Sequence, residues 1–370
     1  MNFKINKKAF LDALIVSNKA LSPTIPLPIL SGFYLNVKKE SIILVSSDSN
    51  ISIQIELNNV VDNILQVFEE GEIVIDSKYI LEIVRKIPSS EISIETIDGS
   101  LLRISGGNSE FKLNCSEANE YPKISFLSSS KPFEIEGKIL KSVVDDTIFA
   151  CSDSMVRPVL TGVNLKASAN TLRVAASDSY RVALRTVMID YSGDFNITVP
   201  SKYLNDICNS INEADKVYIQ IDNQKIIFKF ANTLILTRLL DDEFPNIMKL
   251  IPASYSHTLV LNRNEFRSAI DRASFIKNEG KNIIKLSISQ DKVDITSFNN
   301  QSSSFESIKV LSFTGEPLDI TCRGNYLQDA LNTFKANEVI LNFSGPLKPI
   351  IITSNEDNNL IQLVSPFRSY

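Results

Sequence analysis

The sequence predicts an α+β protein built from three copies of one unit of about 123 residues. Three observations support this: a helical segment recurs at a near-constant interval, loop motifs recur in the same order, and most other runs alternate apolar and polar residues with the period of a β-strand. Each unit reads strand, helix, several strands, helix, several strands. Two helices cannot cover both faces of so many strands, so we expect them on one face of a mainly antiparallel sheet.

The recurring helical segment is “SKYILEIVRKI” at 77–87, “SKYLNDICNSI” at 201–211 and “GNYLQDALNTF” at 324–334. Each copy has apolar residues at i, i+3, i+4 and i+7, which form one stripe of an amphipathic helix. We expect Ser77 and Ser201 to be N-caps, with Gly324 as a tolerated substitute. The three stripes are Ile80, Ile83, Val84 and Ile87; Leu204, Ile207, Cys208 and Ile211; and Leu327, Ala330, Leu331 and Phe334.

Loop motifs repeat in the same order. “PILSGFYL” at 28–35 matches “PVLTGVNL” at 158–165, “SSDS” at 46–49 matches “ASDS” at 176–179, and “EYPKI” at 120–124 matches “EFPNI” at 243–247. The third unit lacks the Ser-Asp motif and has diverged most. The repeat predicts domains at 1–126, 127–252 and 253–370, each large enough to bury its own core.

The helical pattern covers 6–19, 77–87, 138–151, 201–211, 263–277 and 324–335. Period-2 alternation predicts strands in many of the remaining runs. Examples are “SIILVSSD”, “EISIETI”, “LLRIS”, “VYIQI”, “KIIFKF”, “TLILTRLL”, “VILNF” and “PIIITS”.

The composition is that of an ordinary soluble protein, with 22% charged residues and a net charge of −5. There is no run of 18 apolar residues, so we expect no membrane span. The start, “MNFKINKKAF”, lacks the apolar core and cleavage site of a secretion signal. The four cysteines, at 115, 151, 208 and 322, have no CxxC spacing, and we expect reduced thiols in a cytoplasmic protein.

The sequence offers no pattern for catalysis. Its one histidine, His257, has no nucleophile or carboxylate motif around it, and one histidine with dispersed cysteines cannot form a metal cluster. “SGGNSE” at 105–110 lacks the ending of a phosphate-binding loop and predicts a hairpin turn. We therefore expect no catalytic residue, cofactor or metal, and a binding or scaffolding protein.

Charge is distributed unevenly. The six helical segments sum to +6 in a chain of −5, which leaves −11 for the rest. This bias fits either an ordinary helix surface or a face that meets a phosphate backbone without reading bases. The outward faces of the three recurring helices carry cations and amides, namely Lys78, Arg85, Lys86, Lys202, Asn205, Asn209, Asn325, Gln328, Asn332 and Lys335.

Several motifs resemble the β sliding clamp family, the processivity subunit of bacterial DNA polymerase III. They are “LPILSGFYL” at 27–35, “RPVLTGVNL” at 157–165, “ASDSYRVALR” at 176–185, “DDEFPNI” at 241–247 and the ending “VSPFRSY”. The resemblance covers the whole chain and its threefold repetition. It implies three DNA-clamp domains, and two subunits closed head to tail into a six-domain ring with helices lining the hole. It also implies a non-catalytic homodimer that encircles double-stranded DNA without sequence preference.

The ring explains why one helix recurs, because a duplex presents nearly the same phosphate surface to each domain. A modest positive bias with amides suits water-mediated phosphate contacts that still permit sliding. The expected DNA-facing residues are Lys78, Arg85, Lys86, Lys202, Asn205, Asn325, Gln328 and Lys335.

The resemblance further implies a pocket between the second and third domains. The replicative polymerase, the clamp loader and repair proteins insert a peptide containing Gln, Leu and Phe there. Ser365 stands where the family usually has a large apolar residue, and Phe367 where a smaller aliphatic one is common. The matching residues are Leu160, Ser177, Asp178, Ser179, Tyr180, Arg181, Val182, Pro245, Leu250, Leu347, Pro349, Leu363, Val364, Ser365, Pro366, Phe367 and Arg368.

In this family the first domain of one subunit contacts the third domain of the other. The matching apolar residues are Phe111 and Leu113 against Phe275 and Ile276. “SEFKLN” at 109–114 predicts a strand whose unpaired edge such a contact would satisfy. Two other readings of the residues remain: a monomeric scaffold of three tandem domains, or an enzyme with its site at a domain junction.

Overall fold

A computed structural model describes residues 1–22, 27–58, 65–277 and 280–367. Its contacts divide the chain into two compact units. The first unit is Met1–Lys138 with Asp206–Leu239, and the second is Ile139–Asn205 with Leu240–Tyr370. The predicted second domain, 127–252, therefore contributes strands to both units.

The described residues contain six α-helices, two in each predicted repeat. The predicted helix at 138–151 is shorter than expected, because a separate 3-10 turn, Ile148–Ala150, follows it. The α-helices are α1 Lys7–Asn18, α2 Ser77–Lys86, α3 Gly137–Asp145, α4 Ser201–Cys208, α5 Arg263–Ser274 and α6 Gly324–Thr333. The other 3-10 turns are Pro28–Ser31, Ala118–Glu120, Pro158–Thr161 and Ile247–Leu250.

Every strand run that the alternation predicts overlaps a strand, although the runs at 41–48, 233–240 and 349–354 extend one or two residues beyond it. The strands are β1 Asn2–Asn6, β2 Gly32–Val37, β3 Ser41–Ser47, β4 Ile51–Asn58, β5 Leu65–Glu69, β6 Gly71–Asp76, β7 Glu91–Asp98, β8 Leu101–Gly106, β9 Ser109–Glu117, β10 Phe133–Glu136, β11 Gly162–Ser168, β12 Thr171–Ser177, β13 Arg181–Met188, β14 Phe195–Pro200, β15 Lys216–Asp222, β16 Lys225–Phe230, β17 Thr233–Arg238, β18 His257–Asn262, β19 Ile283–Ile288, β20 Lys292–Phe298, β21 Ser303–Lys309, β22 Ser312–Thr314, β23 Leu318–Arg323, β24 Glu338–Phe343, β25 Ile350–Thr353 and β26 Leu360–Val364.

The first unit contains a 13-stranded sheet in the order β10-β15-β16-β17-β4-β3-β2-β6-β9-β8-β7-β1-β5. Its ladders are antiparallel, and β17 pairs with β4, so strands of two repeats share one sheet. The loop at 105–110 joins β8 to β9 as the predicted hairpin, with Gly107 at a φ of 57°. Large side chains that are fully buried in this unit include Phe3, Phe10, Phe33 and Phe228.

The second unit contains a nine-stranded sheet, β14-β11-β12-β13-β26-β25-β24-β18-β22, and a four-stranded sheet, β21-β20-β19-β23. β13 pairs with β26, which again joins two repeats. α5 and α6 pack on each other. The first residue of α6 is Gly324, and a larger residue does not fit there because a Cβ would lie 2.0 Å from the Ser274 hydroxyl of α5.

The apolar stripes of the recurring helices face the core as expected. Eleven of the twelve residues are buried, and Ile83 is half-buried. The predicted N-caps are displaced by one residue. Asp76 caps α2 by accepting a hydrogen bond from the Tyr79 amide, whereas Ser77, Ser201 and Gly324 are the first helical residues.

The repeated Ser-Asp motif is a hairpin turn. Asp48 accepts from the amides of residues 50 and 51, and Asp178 accepts from those of residues 180 and 181. Ser49 and Ser179 have φ values of 78° and 77°. The third repeat keeps this chemistry with a different residue, because Asn299 accepts from the amides of 301 and 302 between β20 and β21. The third copy has therefore diverged in sequence more than in turn geometry.

Candidate functional site

An apolar cluster lies on one face of the strands around β13 in the second unit, and we call it the β13 cluster. Half-buried Ile251 and Ile361 pack against it. It joins residues of the predicted second domain to residues of the third. Its buried members are Val159, Leu160, Ala175, Val182, Leu184, Phe244, Ile247, Ile351 and Leu363.

Strand alternation assigns the side chains of β13 to two faces. Val182 and Leu184 belong to the β13 cluster. Arg181 and Arg185 point the other way, toward acidic residues near the helices, and both form ion pairs there. The Arg181 side chain therefore lies on the face of β13 opposite the β13 cluster, and its place in the predicted pocket stays a prediction.

Arg181 joins the Ser-Asp turn to α6. Its Nε lies 3.1 Å from Asp178 Oδ2 and its Nη1 lies 2.5 Å from Asp329 Oδ2. Its guanidinium carbon is 4.5 Å from the ring centre of Tyr326 and 5.3 Å from that of Phe149. Since only 13% of the Arg181 side chain is exposed, these contacts occur with little solvent screening.

A second arginine continues this arrangement to the surface. The Arg323 guanidinium lies 5.0 Å from the Tyr326 ring centre, and Nη1 donates a hydrogen bond of 2.8 Å to the Tyr326 hydroxyl. It also lies 5.3 Å from the ring centre of Tyr180, which is 57% exposed. The order Tyr180, Arg323, Tyr326, Arg181, Phe149 thus alternates rings and cations, and we call it the arginine–aromatic stack.

The segment after β26 docks onto the second unit. The Ser365 amide donates to the Tyr180 carbonyl at 2.8 Å, and the Phe367 amide donates to the Thr321 carbonyl at 2.7 Å. Lys281 Nζ lies 5.5 Å from the ring centre of Phe367. The predicted pocket residue Arg368 lies outside the described residues.

The remaining predicted pocket residues fall into four groups. Leu250 and Leu347 are 49% and 60% exposed, as suits apolar residues at a rim. Pro245 helps to line a cavity of about 110 Å³. Val364 differs from the expectation: it packs in the core cluster of the third repeat, because it alternates with Leu363 along β26. The half-buried residues Pro349 and Pro366 complete the set.

The structure adds six cluster residues that the motifs did not identify. Ala175 is two positions before Ser177, and Leu184 is two positions after Val182, so the period of a strand carries the signal for both. Phe244 and Ile247 belong to the repeated “EFPNI” motif, whose match to “EYPKI” already marked it. The other two are Val159 and Ile351.

Several strands have open edges among the described residues, since β5, β10, β14, β21, β22 and β23 end their sheets, and two open edges bear on the predicted subunit contact. In β9, residues 109–114 pair with β8 only, since β6 pairs at residues 115–117, and β21 pairs with β20 only among the described residues. Phe111 and Phe275 are 36% and 73% exposed. Ile276 is 2% exposed, so its side chain is already buried within its own chain and is not a surface contact.

Further exposed aromatic residues lie near the β21 edge. Phe298 and Phe305 are 67% and 63% exposed, and the register of β20 with β21 directs them to the same face. Leu113, the fourth predicted interface residue, is half-buried on β9. The predicted motifs did not include the two phenylalanines, although isolated apolar residues in an alternating strand are their signal.

The predicted DNA-facing residues lie on or next to the recurring helices. Lys78, Lys202, Asn205, Asn325 and Lys335 are exposed. The cations of α2 are partly neutralised, because Arg85 and Lys86 both pair with Glu82. The Gln328 amide donates to Asp271 at 2.9 Å, and Lys335 follows the end of α6. The positive bias is therefore smaller than a count of basic residues indicates.

Burial or contacts with neighbouring side chains account for the environments of Asp146, Cys151, Cys322 and His257. Burial raises the pKa of Asp146 to about 6, although nearby Arg185 lowers it. Burial also raises the pKa of the Cys151 and Cys322 thiols to about 12, so both are protonated at neutral pH. His257 shares a hydrogen bond with the Ser256 hydroxyl and stacks on Phe313.

Within the described residues, no three His, Cys, Asp or Glu side chains are grouped as metal ligands. No helix in the described ranges is long and apolar enough to cross a membrane. The fold and the β13 cluster define a clamp-like binding protein, with repeated α+β domains and an apolar cluster where two repeats join.

Comparison with known proteins identifies the family. Models of the DNA polymerase III beta subunit match the chain with the N-terminal domain at 1–125, the central domain at 134–246 and the C-terminal domain at 248–368. The beta sliding clamp of Staphylococcus epidermidis is 33% identical over 376 residues, and that of Staphylococcus aureus is 34% identical over 377; each match covers 100% of both chains. The DNA polymerase sliding clamp of Bacillus subtilis has a TM-score of 0.97 at 32% identity, with 100% of both chains covered.

The chain belongs to the bacterial beta sliding clamp family. It is a DNA sliding clamp, a non-catalytic processivity factor with three clamp domains, and the resemblance and fold class predicted from the sequence are confirmed.

Proposed function

We propose that two copies of this chain close head to tail into a six-domain ring around double-stranded DNA. The observation that carries the proposal is the pair of open strand edges, β9 at 109–114 and β21, each beside an exposed phenylalanine. Edge strands with exposed apolar residues invite pairing with another chain. In a head-to-tail dimer, β9 of one copy meets β21 of the other, and Phe111 and Leu113 face Phe275 at each of the two contacts.

The ring holds DNA by topology. The recurring helices supply a modest number of cations and amides toward the phosphates, and Glu82 offsets part of the charge on α2. Weak, water-mediated contacts of this kind retain the duplex without fixing its register. Direct affinity for DNA that the ring does not enclose is therefore low and falls as salt rises.

The β13 cluster and its rim bind short apolar peptides of the replicative polymerase, the clamp loader and repair proteins. Buried Leu160, Val182 and Leu363 form the floor, while exposed Leu250 and Leu347 lie at the rim. Apolar walls accept leucine and phenylalanine side chains, and nearby backbone groups orient the peptide. The domains extend over 1–126, 127–252 and 253–370, and the protein works in the cytoplasm.

The test compares circular and linear DNA. Labelled protein is loaded by a clamp loader onto nicked circles, the salt concentration is raised moderately, and the circle is then cut once. We expect the protein to persist on the circle and to leave rapidly after the cut. Equal residence times before and after the cut would instead favour a scaffold that binds DNA in a groove.

A further inference from the structure

Two cations face each other across neighbouring strands beside the β13 cluster. Lys166 on β11 is directly opposite Arg173 on β12, and both side chains are exposed. Neither forms an ion pair in the part of the chain that the structure describes. Like charges directly opposite each other destabilise a sheet, so this pair weakens the fold where it stands.

The two cations lie on a wall shared by two cavities. One cavity, of about 330 Å³, is lined by Lys166, Ser168, Ala169, Thr171 and Arg173. The other, of about 110 Å³, is also lined by Lys166 and Arg173, and it reaches four members of the β13 cluster, Ala175, Leu184, Phe244 and Ile247. An apolar surface therefore continues directly into a cationic one.

Hydrogen bonds of Asn164 fix the position of β11, the strand that carries Lys166. The Asn164 side chain is 8% exposed, and its amide nitrogen donates to Asn196 Oδ1 at 2.9 Å, to the Ile197 carbonyl at 3.0 Å and to Thr198 Oγ1 at 3.2 Å. Because these bonds join β11 to β14, Lys166 extends from a rigid strand. Glu243 lines the smaller cavity as well and is the one carboxylate among the described residues of either lining.

We propose that Lys166 and Arg173 bind an acidic segment of a protein partner whose apolar motif occupies the β13 cluster. The inference rests on the proposed peptide-binding function and adds a second, electrostatic contact to it. A carboxylate placed between the two cations relieves their mutual repulsion, and charge complementarity at an interface rim increases the association rate. The negative charge of Glu243 in the smaller cavity repels a partner carboxylate that is bound there. A nucleic acid fits less well, because two cations next to a carboxylate and an apolar cluster do not form the extended basic track that a phosphate backbone requires.

Three labelled peptides test the proposal by fluorescence anisotropy at low salt. One is a short peptide with Gln, Leu and Phe, and the other two carry four glutamates before or after it. We expect one acidic peptide to bind wild type about fivefold tighter than the short one, since exposed ion pairs are individually weak. K166Q/R173Q should remove that gain, and E243Q should enlarge it. K229Q, which removes an exposed strand lysine elsewhere, should leave the gain unchanged.

The outcomes separate this inference from the function on which it rests. If wild type binds none of the peptides, the proposed function fails and this inference fails with it. If wild type binds the short peptide but neither acidic extension increases affinity, or if the gain survives K166Q/R173Q, the function stands and this inference is wrong. A single-stranded oligonucleotide that displaces the acidic peptide through Lys166 and Arg173 would also overturn it. K166Q/R173Q should melt no lower than wild type, which excludes misfolding as the cause of a lost gain.

Discussion

Arg181 on β13 and Asp329 on α6 form an ion pair of 2.5 Å that joins the second repeat to the third. The pair lies behind the β13 cluster, while the adjacent residue Val182 lies within it. The β13 cluster and α6, one of the recurring helices, are thus connected through a single strand. Arg181 also holds Asp178 at 3.1 Å, and Asp178 shapes the turn that carries Tyr180.

Replacing Arg181 by alanine should lower the free energy of unfolding by about 3 kcal/mol, because it leaves Asp178 without its cation and removes the contact with the Tyr326 ring. Asp329→Asn should cost less, since 40% of the Asp329 side chain is exposed. Urea unfolding of the two variants checks the order. A smaller loss in Arg181→Ala than in Asp329→Asn would contradict a structural role for Arg181.

Leu250→Ala and Leu347→Ala should each weaken binding of a Gln/Leu/Phe peptide by about tenfold, as expected for apolar contacts at a peptide site. Fluorescence anisotropy measures the change. Leu311→Ala is the matched control, because Leu311 is 55% exposed and belongs to neither the cluster nor its predicted rim. If Leu311→Ala weakens peptide binding as much as the rim variants do, or if neither rim variant weakens it, the peptide binds at another site.

Phe275→Lys should convert the dimer to monomers, because it introduces a charge beside the open β21 edge, where the partner's strand is expected. Sedimentation velocity distinguishes a monomer of 41.3 kDa from a dimer of twice that mass. Met188→Lys is the control, since Met188 is 71% exposed at the end of β13. An unchanged dimer in Phe275→Lys would rule out this contact. Ile276 is not a useful target, because its burial means that a substitution would unfold the region.

Asp146 should make stability depend on pH. Burial raises its pKa to about 6 from an ordinary value of 3.8, so folding favours the protonated carboxyl. The stability that it contributes is fully present below pH 3.8 and is lost as pH rises through about 6. The useful window is pH 5 to pH 7.5, which brackets the raised pKa of Asp146. Between pH 5 and pH 7.5, the free energy of unfolding of the wild type should fall by about 1 to 2 kcal/mol relative to that of Asp146→Asn. Parallel pH profiles of the two proteins would show that Asp146 does not titrate in this range.

Much of the fold could be predicted from the repeat alone. The helices, the strands and the hairpin turns depend on local periodicity and turn chemistry, and a few consecutive residues are enough to identify both. The N-cap of α2 is Asp76 and not Ser77, because the Asp76 carboxylate accepts a hydrogen bond from the Tyr79 amide while Ser77 is already helical. The motif does not predict the corresponding turn of the third repeat, because Asn299 stands there in place of aspartate and accepts the same two amide hydrogen bonds.

The resemblance pointed to some members of the β13 cluster but not to most of them. The resemblance indicated Leu160, Val182 and Leu363, and the structure brings those three together in one cluster. It could not indicate that Arg181 and Val364 face the other way, or that Lys166 and Arg173 continue the surface. The face of Val364 depends on the pairing of β26 with β13, two strands that lie far apart in the chain, whereas the pairing of adjacent β11 and β12 places Lys166 opposite Arg173.

The sequence by itself determined the threefold repeat, which segments are helices or strands, and the family, because all three depend on local patterns and short motifs. Only the tertiary structure decided that the second repeat shares sheets with both its neighbours, that Phe275 is exposed while Ile276 is buried, and that Arg181 pairs with a residue 148 positions away. The physical reason is that a strand's register selects the face of each side chain, and that register is set by partners distant in sequence.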